Sequence, residues 1–486
     1  MVTGADISRR PVWAPWGPPL AVLLCGALPL FVIMQTSDQP RGLTFVLQVA
    51  LAVYAGLRLT MIVQGSRVRL LQGMFWVFCY VAMGIAPIAQ LTLGKAPTRI
   101  VDPTDAMRTA VLLTLLGMLA YDVGTALSRR APHFGAADRS TGEASADADS
   151  ARANPRLRRV AVLGLLSVIG SAVLIAKVGP ASFFSSRQAV NAGLAAAGLT
   201  DDSSQVGSAL LRGVGTVPIL IVFLVLTRRL VSDPASRRRP AVVALWVLTL
   251  AVQVMVNNPI SNPRFWFLTV ALSTLFVALR GRMWVVRAVM VGGIAAALVV
   301  FPVSDKFRYE PAQARQLQSS SVFETVATKD YDQMAMFANA VSYAEDGPGH
   351  TLGRQTTGAL LFWVPRTAWD NKPIDTGTLV GEWVGATNVN LSAPIWMELW
   401  LDAGLAGMLV VLLLLGFGSA RLDDWYDRVI RHRSPAATVG IVAVPLLAGY
   451  EFILLRGSLL QAMGRLSVGA LCLAILAVHS SRSDRS

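Results

Sequence analysis

Residues 395–419 read IWMELWLDAGLAGMLVVLLLLGFGS, and this stretch decides the class of fold. A bilayer core about 30 Å thick needs roughly 20 apolar residues in one helix, and this run is long enough to supply them. Similar runs recur along the 486-residue chain, which is 54% hydrophobic and only 15% charged. The other predicted spans lie near residues 17–35, 43–64, 70–92, 108–127, 160–178, 207–227, 241–256, 264–280, 284–303, 438–456 and 459–479. The sequence therefore predicts an all-α polytopic membrane bundle of about twelve transmembrane helices.

The predicted spans fall into three groups separated by two long polar segments. The turns at 257–263 and 457–458 are short, so re-entrant hairpins there are an alternative to full crossings, and roughly eleven to thirteen spans fit the pattern. Segment 129–159 is rich in Ala, Ser, Asp and Arg, which predicts a disordered cytoplasmic linker. The predicted organisation is an N-terminal bundle at 1–128, the linker at 129–159, central spans at 160–303, a large outer loop at 304–394 and C-terminal spans at 395–486.

The distribution of charge orients the predicted helices. The net charge is +14, but more than half of the 43 basic residues lie in segments that alternate with nearly neutral ones. The predicted short outer loops hold only Arg41, Lys95, Arg99 and Arg187. This asymmetry is the positive-inside rule, and it predicts a multi-pass protein of the cytoplasmic membrane with both termini in the cytoplasm. The basic charge is thereby explained without nucleic acid as a partner. The first apolar run is predicted to be a permanent span and not a cleaved signal peptide.

The outer loop has the composition of a packed segment. Ten aromatic residues fall between positions 307 and 383, a density that indicates packing against the bundle or at the lipid interface. Apolar residues at helical spacing predict an amphipathic helix over 321–344. The apolar run at 358–364 is too short to span and is predicted to dip into the interface. Because loops of this length are uncommon without a function, the loop is a candidate for the working part of the molecule.

Ionisable residues within the predicted spans point to an anionic ligand. Those nearest the outer side are Arg212, Arg264, Arg456, Arg465, Glu398, Asp402 and Glu451. Such residues are costly in a bilayer and mark functional sites or buried partners. Guanidinium groups grip phosphate with two hydrogen bonds and stay charged. An excess of arginine over acid therefore favours a phosphate-bearing ligand.

Structural roles are open alternatives for each of these residues. Arg264 and Arg456 lie close enough to helix ends to snorkel outward. Glu451 is a possible ion-pair partner of Arg212 or Arg465. Glu398 and Asp402 are four residues apart and therefore share a helix face. Three roles are open for them: a paired acid–base site, counter-ions for arginine, or a solvated rim.

Other chemical signals are weak. Asp330-Tyr331-Asp332 has the spacing of metal-dependent sugar-nucleotide transferases. On the predicted helix, however, side chains two residues apart point in different directions, so the two carboxylates would not share a metal. The three cysteines fall within predicted spans without metal-ligand spacing. His350 is the only histidine predicted on the outer side. No metal site is therefore predicted.

Several short motifs of the outer loop follow one another in a recognisable order. The loop carries Lys329-Asp330-Tyr331-Asp332-Gln333, Gly349-His350, Phe362-Trp363-Val364-Pro365-Arg366, Trp369, Lys372-Pro373, Gly377 and Ser392-Ala393-Pro394. Glu398, Gly404 and Gly407 follow in the next span. Arg264 opens one span and Arg456-Gly457-Ser458 closes the penultimate one. Over residues 330–410 this order resembles bacterial O-antigen and exopolysaccharide repeat-unit polymerases of the Wzy type.

The resemblance implies a GT-C-like glycosyltransferase without metal or other cofactor. Its substrate would be a polyprenyl-pyrophosphate-linked oligosaccharide in the bacterial inner membrane, with a chain-length regulator and a flippase as partners. A carboxylate would take the proton of the attacking hydroxyl, and arginines would stabilise the departing pyrophosphate. The residues assigned are Glu398 and then Asp332 as the base, Arg366, Arg264 and Arg456 for pyrophosphate, Arg187 and Lys372 for glycan or phosphate, and Arg212 and Arg465 as further substrate contacts. Trp363, Trp369 and Trp383 would stack on sugars or anchor the loop at the interface.

Three rival functions fit parts of the same pattern. A flippase of lipid-linked oligosaccharide would share the basic cavity, but should show internal symmetry and broken helices. An O-antigen ligase-like transferase would differ only in its acceptor. A membrane scaffold would have no need of arginines inside its spans. The bias of charge to the outer half favours the polymerase.

Overall fold

The structure is a computed structural model, and helices make up most of the part of the chain that it describes. That part comprises residues 17–35, 41–131, 157–185, 187–196, 205–279, 281–300, 324, 326–327, 331–386, 391–431 and 438–477. Within these ranges there is no β-strand. The all-helical prediction is confirmed.

Twelve apolar helices occupy the positions of the predicted spans. They are α1 (Gly17–Ile33), α2 (Leu43–Gln64), α3 (Leu70–Leu93), α4 (Asp105–Arg130), α5 (Leu157–Val178), α7 (Gln205–Ser232), α8 (Pro240–Val256), α9 (Arg264–Ala278), α10 (Met283–Leu298), α14 (Ile395–Arg431), α15 (Thr438–Arg456) and α16 (Leu459–Ala477). Eight of them are long and apolar enough to cross a membrane, whereas α1, α8, α9 and α10 are shorter. A multi-pass membrane protein is therefore supported, and twelve full crossings are not confirmed.

Among the described residues, four further helices of seven or more residues lie between these apolar ones. They are α6 (Arg187–Ala196), α11 (Gln333–Glu345), α12 (Arg354–Leu360) and α13 (Thr376–Trp383). We call the end of the bundle that carries α11, α12 and α13 the loop end. Most of the predicted linker at 129–159 lies outside the described residues, but its two margins are helical, in α4 and α5.

The C-terminal helices are shared between two apolar cores. Helix α14 packs along α4 and joins the core built by α2, α3 and α4, whereas α16 packs along α7 and joins the core built by α5 and α7. Helix α15 lies against both α3 and α9. Residues from distant parts of the chain therefore meet where α9, α14, α15 and α16 reach the loop end.

The predicted loop helix at 321–344 is interrupted: residues 324, 326 and 327 are helical, whereas residues 331 and 332 are not. Helix α11 begins at Gln333, and Asp332 has non-helical angles of φ −83° and ψ 1°. From Gln333 to Tyr343 every side chain of α11 is buried, so the helix lies inside the protein. The apolar spacing located the helix but did not reveal that Asp332 ends a different segment, with its carboxylate directed to another part of the chain.

Helix α14 is broken near its start by Gly404, which has φ 65° and ψ −170°. A left-handed residue of this kind is accessible to glycine at little cost. It interrupts the regular hydrogen bonds, and the carbonyls of Leu401 and Asp402 accept instead from the amides of Thr351 and Gly353, at 2.9 and 2.8 Å. The break thus joins the first turns of α14 to the loop that precedes α12.

The start of α4 depends on Asp102. Its carboxylate accepts hydrogen bonds from the amide and hydroxyl of Thr104, at 2.9 and 2.7 Å, and from the amides of Asp105 and Ala106. These are the donors that a helix N-terminus leaves without partners. The bond from the Thr104 hydroxyl, followed by the backbone bonds, lowers the pKa of Asp102 to about 2.

We expect Asp102→Ala to lower the free energy of unfolding by about 0.5–1 kcal/mol at pH 6, the lower part of the range for a lost N-cap. Because folding lowers the pKa of Asp102, its stabilisation is complete above its ordinary pKa and is lost as the pH falls toward about 2. The gap between variant and wild type should therefore narrow from pH 6 to pH 3. Thermal melts in detergent across this range measure it, and a constant gap would contradict the capping role.

Candidate substrate site

Asp332, Ser392 and Arg456 meet at the loop end. The Asp332 carboxylate accepts a hydrogen bond from the Ser392 amide at 3.0 Å and another from the Ser392 hydroxyl. The guanidinium Nη2 of Arg456 lies 3.7 Å from Asp332 Oδ1, and the amide of Ala393 donates to the Arg456 carbonyl at 3.0 Å. The contacts join the start of α11, the segment that leads into α14 and the end of α15. Two predicted site residues, Asp332 and Arg456, are thereby brought together.

Glu398 reaches the same turn from α14. It is only 4% exposed. Its Oε2 accepts from the amide of Leu459 at 2.8 Å, and its Oε1 accepts from the Thr376 hydroxyl at 2.7 Å. Leu459 begins α16, so the carboxylate occupies the N-terminus of that helix, where negative charge is favoured. The turn from Arg456 to Leu459 is therefore flanked by two predicted carboxylates.

Arg456 keeps hydrogen-bonding capacity beyond its contact with Asp332. Its guanidinium lies over the ring of Phe265, 5.0 Å from the centroid. Its Nε is buried and has no hydrogen-bond partner within the described chain, while the side chain as a whole is 24% exposed. Arginine carries five N–H donors, so the group can still bind an anion. Arg264 precedes Phe265 and begins α9, which places its backbone beside this centre.

Arg465 lies two turns into α16 and faces an aromatic surface. Its guanidinium is 4.5 Å from the centroid of Trp266, a cation–π contact. Its Nε is buried without a hydrogen-bond partner, and so is Oε2 of the buried Glu451. Over the described residues, no ion pair joins Arg465 to Glu451, which leaves the proposed structural pair between these two unformed.

Arg366 and Lys372 hold the turn that follows α12. The Lys372 ammonium donates to the carbonyls of Phe362 and Val364, at 2.7 and 2.8 Å, and Arg366 Nη1 donates to the Lys372 carbonyl at 2.8 Å. Lys372 is 6% exposed. Burial first, and then the nearby Arg366, lowers the pKa of Lys372. In this arrangement Lys372 shapes the turn, whereas the half-buried Arg366 still has donors for a ligand.

We expect Lys372→Met to lower the free energy of unfolding by about 1–3 kcal/mol, because two carbonyls lose their donor. Thermal melting in detergent measures the change. Lys95→Met is the matched control, since Lys95 pairs with Glu324 on the surface and such pairs contribute about 0–1 kcal/mol. Equal effects of the two substitutions would show that the buried ammonium has no special structural role.

Asp402 does not join Glu398 in a common pair of carboxylates. Its Oδ1 accepts from the Thr351 hydroxyl at 2.7 Å and from the Gln355 amide at 2.9 Å, and its Oδ2 accepts from the Thr356 amide at 2.8 Å. These donors belong to the start of α12. Glu398 and Asp402 therefore do not form an acid–base pair. Glu398 accepts a hydrogen bond at the start of α16, and Asp402 accepts hydrogen bonds at the start of α12.

The remaining predicted contacts lie on other elements. Arg212 Nη2 donates to Asn191 Oδ1 of α6 at 2.7 Å. The Arg187 backbone begins α6, but its side chain lies outside the described residues. Trp383 packs edge-on against Tyr343 with 5.5 Å between ring centroids, whereas Trp363 is 60% exposed. Trp363 is thus better placed than Trp383 to meet a sugar or the interface.

Thr376, Ser392, Phe265 and the Leu459 amide have no role predicted from the sequence. Thr376 and Ser392 are buried donors to the two carboxylates. The sequence shows the motif that contains Ser392. It does not show which carboxylate each donor meets, because these hydrogen bonds join residues 22 to 61 positions apart. Asp330, the other carboxylate of the three-residue motif, lies outside the described residues.

The described chain contains no group of three His, Cys, Asp or Glu residues arranged to hold a metal ion. Comparisons with protein-family models, with curated proteins and with solved structures found no match. The chemistry of the site therefore has to be argued from its own residues.

Proposed function

We propose that the chain is a polysaccharide polymerase, which transfers a polyprenyl-pyrophosphate-linked glycan onto a lipid-linked repeat unit at the outer face of the bacterial inner membrane. The observation that carries this proposal is that Arg456 lies 3.7 Å from Asp332 at one end of an apolar bundle, while Glu398 accepts from the amide of Leu459, three residues after Arg456. An anion-binding cation beside two carboxylates is what a glycosyl transfer from a phosphate leaving group requires.

In the proposed reaction the acceptor hydroxyl oxygen bonds to the anomeric carbon of the donor. The bond from that carbon to the pyrophosphate oxygen breaks, and the hydroxyl proton passes to a carboxylate. Glu398 is the first choice of base: each of its oxygens accepts one hydrogen bond, which leaves lone pairs for the substrate hydroxyl. Asp332 is the second choice, because it already balances Arg456. Arg456 would stabilise the negative charge that develops on the leaving pyrophosphate.

The proposed orientation rests on where the basic residues lie. Arg67 and Arg69 lie in the turn that approaches Asp424 at the end opposite the loop end, and Arg129 and Arg130 end α4 there. An excess of arginine marks the cytoplasmic side of a membrane protein. The loop end would then face outward, where lipid-linked repeat units are joined, and both termini would be cytoplasmic.

Purified protein in proteoliposomes should convert a lipid-pyrophosphate-linked repeat unit into a ladder of longer glycans, with and without a chelator. Heat-treated protein is the control, and labelled glycans are separated on gels. Movement of the lipid across the bilayer without a ladder would favour a flippase. A single transfer to another acceptor without a ladder would favour a ligase-like enzyme.

We expect Arg456→Gln to lower the polymerisation rate roughly 100- to 1000-fold, the usual loss when a donor to developing charge is removed. Initial rates from the same ladder assay measure it. Arg108→Gln is the matched control at the loop end, because Arg108 forms only an exposed pair with Asp105. Wild-type rates in Arg456→Gln would remove Arg456 from the site.

A further inference from the structure

A second basic site lies at the end of the bundle opposite the loop end, between the start of α5 and the end of α16. Its groove has a volume of about 370 Å³ and is lined by Arg158, Arg159, Val162, Leu163, Leu166 and Ile475. The two arginines adjoin in the first turn of α5, Val162, Leu163 and Leu166 continue along the same helix, and Ile475 lies near the end of α16. We propose that this groove binds the phosphate headgroup and one acyl chain of an anionic phospholipid.

The arginines of the groove are available to an anion. Within the described chain neither Arg158 nor Arg159 forms a hydrogen bond or ion pair, and Arg158 is exposed while Arg159 is half-buried. Two adjacent guanidinium groups can grip a phosphodiester from two sides. Basic pockets between membrane helices are the places where anionic headgroups bind.

The walls of the groove select a lipid over a soluble phosphate compound. Val162, Leu166 and Ile475 are 53%, 58% and 43% exposed, so the surface below the arginines is apolar and open at the side. Such a surface suits an acyl chain, and long arginine side chains at a helix end reach the headgroup level. A water-soluble anion would satisfy the arginines but would leave this apolar face uncovered.

A bound lipid would join two helices that already share a core. Leu163 of α5 and Leu476 of α16 belong to the same buried cluster. An acyl chain beside Val162 and Ile475 would extend that packing outward. This inference is independent of the proposed transfer reaction and concerns the other end of the molecule.

The test compares lipid retention by purified full-length protein in detergent, using native mass spectrometry. Dioleoyl phosphatidylglycerol and dioleoyl phosphatidylcholine serve as probes with identical acyl chains. Wild type should retain the anionic lipid preferentially. Arg158→Gln/Arg159→Gln should weaken its retention roughly 10- to 30-fold, since each arginine near an anionic headgroup contributes roughly fivefold.

Two further variants separate a built site from general surface charge. Arg129→Gln/Arg130→Gln removes another adjacent pair, at the end of α4, that is exposed and does not line the groove; it should leave retention unchanged. Val162→Phe fills the groove without changing charge and should reduce retention of the anionic lipid. Equal retention of both lipids by wild type, equal losses in the two double variants, or full retention by Val162→Phe would each overturn the proposal.

Discussion

Glu398→Gln should retain its fold and lose roughly 100- to 10,000-fold of the polymerisation rate, the range for removal of a general base. The fold should survive because the amide can take over both existing contacts. Its oxygen can accept from the Leu459 amide, and its nitrogen can donate to the Thr376 hydroxyl, which rotates to become the acceptor. What the amide cannot do is take the proton of an attacking hydroxyl. Initial rates of ladder formation and a thermal melt of the same sample measure the two properties separately.

Asp332→Asn is the comparison that assigns the base. An asparagine can likewise accept from the Ser392 amide and donate to the Ser392 hydroxyl, so this fold should also survive. If Glu398 is the base, Asp332→Asn should lose far less activity than Glu398→Gln, since it removes only a charge near Arg456. A larger loss in Asp332→Asn would make Asp332 the base, and full activity in both variants would contradict the proposed site.

The positions of the apolar helices were predictable because a helix that crosses a bilayer needs roughly 20 consecutive apolar residues. The predicted spans at 43–64 and 70–92 correspond to Leu43–Gln64 and Leu70–Leu93. The prediction of one helix at 321–344 misses the break before Gln333, because apolar spacing does not record where a chain changes direction. Asp332 leaves the helical conformation to meet Ser392, sixty residues further on, and no local pattern encodes that contact.

The candidate site was predictable in its residue types and only partly in its geometry. Charges within apolar helices are costly, which points to Arg456 and Glu398, and the resemblance of the loop motifs to a known family adds Asp332. That Asp402 caps α12 was not predictable, since the i, i+4 spacing suggested a pair with Glu398 and the break at Gly404 was not foreseen. The family resemblance predicts that Lys372 contacts glycan or phosphate, whereas its ammonium donates to two backbone carbonyls.

Gly416→Ala should be among the most damaging single-methyl substitutions along the crossing of α4 and α14. An added Cβ at Gly416 would lie 2.0 Å from the Tyr121 carbonyl oxygen, and one at Gly124 would lie 1.9 Å from the Leu413 carbonyl oxygen. Both obstacles are backbone atoms, so no side-chain rotation relieves them, and the helices have to separate. Close approach through small residues is a principal source of helix association in membranes. We expect Gly416→Ala to lower the free energy of unfolding by about 1–3 kcal/mol, the usual cost of overpacking.

Gly418→Ala is the matched control on the same helix, because nothing lies within 4 Å of its added Cβ. It should stabilise the protein slightly, by about 0.5–1 kcal/mol, since alanine favours a helix over glycine. The two substitutions should therefore shift the melting temperature in opposite directions, and shifts of the same sign would contradict a close crossing.

Gly124→Ala with Gly416→Ala should lower the free energy of unfolding by less than the sum of the two single changes, because helices already separated by one methyl group have room for the other. Separation of α4 from α14 should also reduce activity, since Trp396, two residues before Glu398, packs so close to Gly117 that an added Cβ would lie 2.4 Å from its ring.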